Sequence, residues 1–390
     1  MTPVFIISEY NPFHTGHGRM IEEIRDRVGD AVIVSVMSAP FVQHGEPALF
    51  PPDVRAKAAV CGGADLVLSL PFPYCAAGAR FFAAAGVRVA AAFASLRPVI
   101  AFGSECGDLD LLRRIAEESE KLRLFEKNGE ERPDVPYPEY LSRAVGESLG
   151  EKAALELKKP NNILGVEYLA ALMRECPGIS ALTVKRTGGR HDADAGICSS
   201  ALRNSFYSGN EEAFYSGLPP LSAEVFREAV KEDRYSLGWD GLSDAVLGIL
   251  RMFPDADSDR YADAGGGLGS RILAAAGQAS SVGELFELCA TKRYTNARIR
   301  RAVLSMAAGV TEEDLKTPPE FVNVLALNTA GRAVLGEYGG DLAIVTRPAG
   351  TDGGTRLRTL YLKAMSLYDL SLKKRRGSRD FMRKTPFTDF

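Results

Sequence analysis

A chain of 390 residues with 46% hydrophobic content can bury substantial cores, and its length points to two domains. Its longest apolar runs, such as Ala83 to Leu96 with Arg88 inside it, fall short of the roughly 20 apolar residues that a membrane span needs. A net charge of −3 gives no sign of nucleic acid when averaged over the chain, and six scattered cysteines without a CxxC pair argue against a zinc site or a redox pair.

The first 105 residues alternate strand and helix signals. Val4 to Ser8 is a short strand-like run with neither a basic leader nor a cleavage site, so a soluble cytoplasmic protein is the expected class. Further β-rich runs are Ala31 to Met37, Asp65 to Leu70 and Pro98 to Phe102, with helix-suited stretches between them. Asp108 to Lys159 reads as a charged helical insertion carrying a breaker at Pro133 to Pro138. A fifth strand is expected at Ala181 to Lys185 and a helix from near Ser199. This alternation predicts an α/β fold, a Rossmann-like doubly wound parallel sheet with its ligand at the carboxyl ends of the strands. Gly217 to Pro220 reads as a linker, dividing a catalytic domain 1–216 (insertion 108–159) from a mainly helical domain 217–390. Helices are predicted there at Asp244 to Met252, Arg271 to Ala276, Ser281 to Cys289 and Asn296 to Ala308, with one strand pair, Val322 to Ala326 and Leu342 to Thr346.

Tyr10 to His17 reads YNPFHTGH directly after the first strand. Asn11-Pro12 favours a turn, and Gly16 lets a ligand approach the backbone. If a helix starts near Gly16, His14 and His17 both face a ligand at its N-terminus, where free N–H groups and partial positive charge suit a polyphosphate. Two imidazoles there can stabilise charge as pyrophosphate leaves an α-phosphate. Standing alone, the pair reads equally as polar surface or cap residues. Ile197 to Arg203, ICSSALR, follows the fifth strand: Ser199 or Ser200 can cap a helix, and Arg203 presents a fork to phosphate.

Together, HTGH and ICSSALR resemble the two signatures of the HxGH nucleotidyltransferase superfamily. EYNPFHTGH (Glu9 to His17), VMSAPFVQHGEPA (Val36 to Ala48), GADLVLSLPFPY (Gly63 to Tyr74), FGSE (Phe102 to Glu105), KKPNNILGVEYL (Lys158 to Leu169) and KRYTNARIRRAVL (Lys292 to Leu304) are similar, in order and spacing, to the bacterial tRNA(Met) cytidine acetate ligases. That resemblance implies activation of acetate by ATP to acetyl-adenylate, then acetylation of N4 of the wobble cytidine of elongator tRNA(Met). It places ATP on Ile7, Ser8, Glu9, Tyr10, Asn11, Pro12, Phe13, His14, Thr15, Gly16, His17, Gly18, Arg19 and Met20, with His14 and His17 catalytic at the phosphates. Gly103, Asn161, Asn162, Arg186, Ser199, Ser200 and Arg203 would contribute further ATP contacts. The chain departs from the family pattern at His44, usually arginine, at Pro52 to Val54, where a Lys-Trp pair is usual, and at Ser69, usually acidic.

Positive charge gathers in the C-terminal half. Lys292, Arg293, Arg298, Arg300 and Arg301 surround Tyr294, so phosphate contacts and base stacking on tRNA are one reading and a solvated helix face the other. The tail Lys373 to Arg376 with Arg379, Arg383 and Lys384 reads as a backbone-phosphate binder or as a disordered basic tail. The motifs name no metal-ligand set, although ATP normally arrives with Mg²⁺, and no stable protein partner. The other functions these residues admit are a small-molecule adenylyltransferase and a non-catalytic tRNA-binding protein with a vestigial ATP site.

Overall fold

The computed structural model describes residues 1–127, 137–186, 198–254, 257–346, 354–377 and 385–389. Most of the Pro133 to Pro138 breaker, together with Ile197, Arg379, Arg383 and Lys384, lies outside them. The apolar runs of the N-terminal half form β1 (Thr2–Ser8), β2 (Ala31–Ser38), β3 (Leu66–Leu70), β4 (Val99–Ser104) and β5 (Ser180–Lys185). β1, β2 and β3 are buried along nearly their whole length, as parallel strands covered by helices on both faces must be. The helices are α1 (Thr15–Val28), α2 (Pro52–Cys61) and α3 (Ala79–Ala91) before β4. After it come α4 (Leu109–Lys127), α5 (Tyr137–Leu149), α6 (Glu151–Glu156) and α7 (Pro160–Glu175). The predicted insertion is thus three helices, and α7, packed on α3 and α4, returns the chain to the sheet.

All five strands run parallel in the order β5-β4-β1-β2-β3. The chain leaves β1 toward one side and returns at β4 on the other, so the crevice between the carboxyl ends of β1 and β4 is the topological switch point.

Next, α8 (Ser199–Tyr207), α9 (Glu211–Ser216) and α10 (Pro220–Lys231) fold over α2, with Phe206, Phe214 and Phe226 packed around Phe50. The Gly217 to Pro220 connection is itself packed: the Thr15 N–H donates to the Gly217 carbonyl (3.0 Å) and Leu218 is buried. The predicted helices beyond it are α11 (Ser243–Arg251), α12 (Leu268–Ala276), α13 (Val282–Cys289) and α14 (Asn296–Ala308). Ser281 and Thr295 cap the last two through their side-chain oxygens.

After α15 (Glu312–Lys316), the expected strand pair is present as β6 (Phe321–Asn328) and β7 (Ala343–Val345), which lie parallel to each other. Between and beyond them run α16 (Thr329–Gly336), α17 (Arg356–Ser371) and a short strand without a sequence signal, β8 (Phe387–Asp389). β6 pairs antiparallel with β3, so the parallel sheet gains an antiparallel neighbour from the C-terminal half. No βαβ crossover links the two strands, and the handedness rule that keeps neighbours parallel does not apply. Asp65 secures the join. Its carbonyl accepts the Asn328 N–H, and its carboxylate accepts from Asn328 Nδ2 (2.8 Å), Arg25 and the Ile33 N–H. At Ser69, the uncharged hydroxyl accepts the Asn323 N–H (2.9 Å) inside the sheet.

Beneath the cleft edge lies Arg55, fully buried on α2. Its Nε donates to the Phe50 carbonyl (2.9 Å), Nη1 to that of Glu9 (2.6 Å) and Nη2 to that of Ser38 (2.8 Å). The guanidinium therefore ties the residues just past β1 and at the end of β2 to the loop before α2. Removing it leaves three carbonyls unpaired, those of Phe50 and Ser38 in buried positions. Arg55→Met is expected to lower the unfolding free energy by at least about 3 kcal/mol in urea titration. Lys121→Met, which loses only a surface pairing with Glu118, is expected to leave the midpoint unchanged.

Candidate active site

A cavity of about 360 Å³ opens at the switch point, within the range of nucleotide-sized sites. Its walls come from the ends of β1 and β4, the loop after β1, the start of α7, Arg186 after β5 and the first turns of α8.

The loop after β1 is strained where it meets the cavity. Tyr10 adopts a left-handed backbone (φ 44°), which costs roughly 1–3 kcal/mol for a side chain of its bulk. A buried ring and a hydrogen bond between Tyr10 Oη and Ser35 Oγ (2.9 Å) hold it there. The turn delivers His14 to the N-cap of α1. His14 Nδ1 accepts the Gly16 N–H (3.1 Å), and His17 Nδ1 accepts the His14 N–H (3.2 Å), a reciprocal capping box built from imidazoles. A Cβ at Gly16 would lie 2.9 Å from the His14 ring, so glycine is needed here for the histidine itself. The rings stack with centroids 3.8 Å apart, and Tyr10 and Phe13 close on His17 from the side.

Because both Nδ1 atoms accept, each neutral ring carries its proton on Nε2. Burial, with Arg186 nearby, holds His14 down to about 4. Burial, with His14 and Arg186 close by, pushes His17 well below the usual histidine range. At neutral pH the pair is therefore two fixed, uncharged N–H donors. Cations come from Arg186 and Arg203, both lining the cavity. Arg203 donates to the Asn11 carbonyl (2.9 Å) and faces Glu46 (3.4 Å), which also pairs with Arg300 on α14 (2.6 Å).

Of the expected ATP contacts, Ile7, Ser8, Glu9, Tyr10, His14, His17, Met20, Gly103, Asn161, Arg186, Ser199, Ser200 and Arg203 line the cavity. Asn11, Pro12, Phe13, Thr15, Gly16, Gly18 and Arg19 build the turn and helix behind it and are absent from the lining. Asn162 is fully buried: its Oδ1 accepts the Glu105 and Cys106 N–H groups, and the Glu105 carboxylate caps α7 through Asn161 and Asn162. The N-cap of α8 is Cys198, which makes no side-chain cap, and Ser199 and Ser200 occupy the first turn. The motif reading passed over Gln43, Phe82, Phe102, Leu164 and Tyr168, which also line the cavity, while His44 had entered only as a departure from the family pattern. All but Phe82 lie within the VMSAPFVQHGEPA, FGSE and KKPNNILGVEYL segments, but nothing in one sequence tells which side of a strand or helix faces a ligand.

The basic cluster divides. Lys292 and Arg293 are exposed, whereas Tyr294 is buried with its hydroxyl on the Gly266 carbonyl (2.6 Å). Arg298 donates to the carbonyls of Asp263 and Gly265, Arg301 forms a two-point pair with Asp263, and Arg300 is taken by Glu46. Tyr294 thus has no free face for a base, and three of the five cations have partners within the protein. Those partners lie between 33 and 254 residues away in sequence, beyond the reach of local charge counting.

Comparison with known proteins agrees with this geometry. The model of the HIGH Nucleotidyl Transferase family matches residues 1–381. A tRNA(Met) cytidine acetate ligase of Acetivibrio thermocellus is 32% identical over 85% of this chain and 84% of its own. Its counterpart in Lysinibacillus sphaericus is 30% identical over 96% of each. Among solved structures, Thermotoga maritima TmcAL bound with alpha-thio ATP superposes with a TM-score of 0.86 at 28% identity, covering 100% of this chain and 99% of that one. Its apo form gives 0.88 at 27% identity over the same shares. The chain belongs to the HIGH nucleotidyltransferase family and, within it, to the tRNA(Met) cytidine acetate ligases.

Proposed function

We propose that this protein uses ATP to activate acetate as acetyl-adenylate, releasing pyrophosphate, and transfers the acetyl group to N4 of the wobble cytidine of elongator tRNA(Met). The observation that carries the ATP half is the stacked His14–His17 pair, held by its Nδ1 atoms and lining a cavity at the β1/β4 switch point. The family and its named relatives carry the acceptor. In this reading His14 and His17 donate to α-phosphate oxygens, whose charge grows as the acetate carboxylate attacks and pyrophosphate leaves. Arg186 and Arg203 take the remaining phosphates, and Asn161 and the α8 serines complete the wall. Fixed neutral donors need no reorganisation when the charge develops, and no proton has to move between them. Magnesium counts here as part of the nucleotide, since among the described residues no three His, Cys, Asp or Glu side chains converge. Residues 1–216 would handle the nucleotide, while 217–390, with exposed Lys292 and Arg293, would face the tRNA. No helix among the described residues is long and apolar enough to cross a membrane, and a cytoplasmic enzyme meeting tRNA there is the consistent reading.

Alanine at His14 or at His17 is expected to lower acetate-dependent pyrophosphate release by about 10²–10³-fold each, measured with saturating ATP. Mass spectrometry of nucleosides from tRNA(Met) incubated with the protein, ATP and labelled acetate is expected to find the label on one cytidine. Turnover of a phosphorylated vitamin precursor with none of acetate would overturn the assignment.

The depressed histidines also predict a pH dependence of stability. Between about pH 6.5 and 4 the unfolded chain binds protons that native His14 refuses, so stability falls as pH falls through that window. The slope per histidine is expected to reach up to about 1.4 kcal/mol per pH unit. His14→Asn keeps an N-cap acceptor and is expected to flatten the slope in urea titrations across this range.

A further inference from the structure

The second half-reaction requires a group that takes a proton from the attacking amine, and few side chains in the cavity can do so. His14 and His17 have their Nδ1 atoms engaged by backbone N–H groups and already carry protons on Nε2. Arg186 and Arg203 are cations. Burial pushes the phenols of Tyr10 and Tyr168 up, so both keep their protons. Two acceptors remain among the described lining residues, Glu9 and His44.

Glu9 is the held one. Its Oε1 accepts the Gln43 N–H (2.9 Å), its carbonyl is clamped by Arg55 Nη1 (2.6 Å), and it lines the cavity just past β1 at the switch point. His44 is exposed on the loop before Gly45. A general base must sit in a fixed place relative to the atom it serves. Charge argues the same way. Among the described residues, Glu9 contributes the only carboxylate in the lining of a cavity that otherwise offers cations and neutral donors. Such a charge works against binding ATP and acetate, both anions. It favours the moment when positive charge develops on an attacking amine.

We propose that Glu9 is the catalytic base of acetyl transfer, a role that rests on the acetyl-adenylate reading above. The N4 lone pair attacks the carbonyl carbon of acetyl-adenylate, and the carbon–oxygen bond to the phosphate breaks with its electron pair leaving on AMP. The N4 proton passes to Glu9 Oε2 and from there to solvent. The products are N4-acetylcytidine and AMP, with no oxidant or reductant involved.

The test separates the half-reactions in the full-length protein. Acetate-dependent exchange of labelled pyrophosphate into ATP reads adenylation, and label transfer from acetate to tRNA(Met) reads the whole sequence. Glu9→Gln is expected to lower transfer by about 10²–10⁴-fold more than it lowers exchange, which is expected to stay measurable. Retained exchange shows at once that the variant is folded. His44→Asn is expected to alter the two readouts in parallel. Transfer by Glu9→Gln at the wild-type rate would overturn the proposal, as would exchange falling as far as transfer, which would assign Glu9 to the nucleotide. A selective loss of transfer in His44→Asn alone would move the role to His44. Absence of acetate-dependent exchange in the wild-type protein would instead overturn the acetyl-adenylate reading itself.

Discussion

The cleft depends on a charge that has no counter-ion in hydrogen-bonding reach among the described residues. Arg55 is fully buried and bonded to three backbone carbonyls, one just past β1, one at the end of β2 and one in the segment leading into α2. A guanidinium suits this place because its planar fork donates in several fixed directions at once, which an ammonium does not. Desolvating it is costly, and that cost is offset only while all three carbonyls stay where they are. The arrangement therefore fixes the turn geometry at the carboxyl edge of the sheet. Tyr10 can persist in a left-handed conformation because its surroundings are over-determined in this way.

On that edge the protein separates two electrostatic tasks. The histidine pair is kept neutral by burial and locked in one tautomer by backbone N–H groups, so it acts through aimed dipoles. Full charge is carried by arginines from elsewhere, and Arg203 is already shared between the Asn11 carbonyl and Glu46. Glu46 also holds Arg300, and a Cβ on neighbouring Gly45 (φ 76°) would come within 2.7 Å of the Arg301 backbone nitrogen. One short loop thus lines the cleft with Gln43 and His44 and abuts α14 with its next two residues. Arg203 at the cleft and Arg300 on α14 are consequently linked through one carboxylate, Glu46.

The C-terminal half is knit to the sheet. β6 extends it beyond β3, Asp65 bonds to both sides of that join, and the Tyr368 hydroxyl on α17 reaches the Ala48 carbonyl (2.8 Å). A continuous apolar core runs from one face of the sheet through α3 and α7 into α11, α12, α13, α14 and α17. The connection between α13 and α14, which carries exposed Lys292 and Arg293, is in this way referred to the same framework as the nucleotide cleft.

Local chemistry determined much of this from sequence alone. Strands buried on both faces read as unbroken apolar runs, α14 spans the predicted Asn296 to Ala308, and HTGH after the first strand announced a helix N-terminus. These signals survive because they depend on neighbours within a few residues. What the sequence could not decide is whatever depends on partners far along the chain. The charge run at Lys292 to Arg301 reads as a tRNA surface or a solvated helix face, and only the fold brings Asp263 and Glu46 to it from 38 and 254 residues away. The predicted strand pair could not reveal that β6 would take β3 as its antiparallel neighbour. Nor could the motif distinguish Asn161, at the wall, from Asn162, buried behind it with Glu105 and Glu156. Tertiary structure decided these points because a hydrogen bond or an ion pair is fixed by distance in space, and separation along the chain carries almost no information about it.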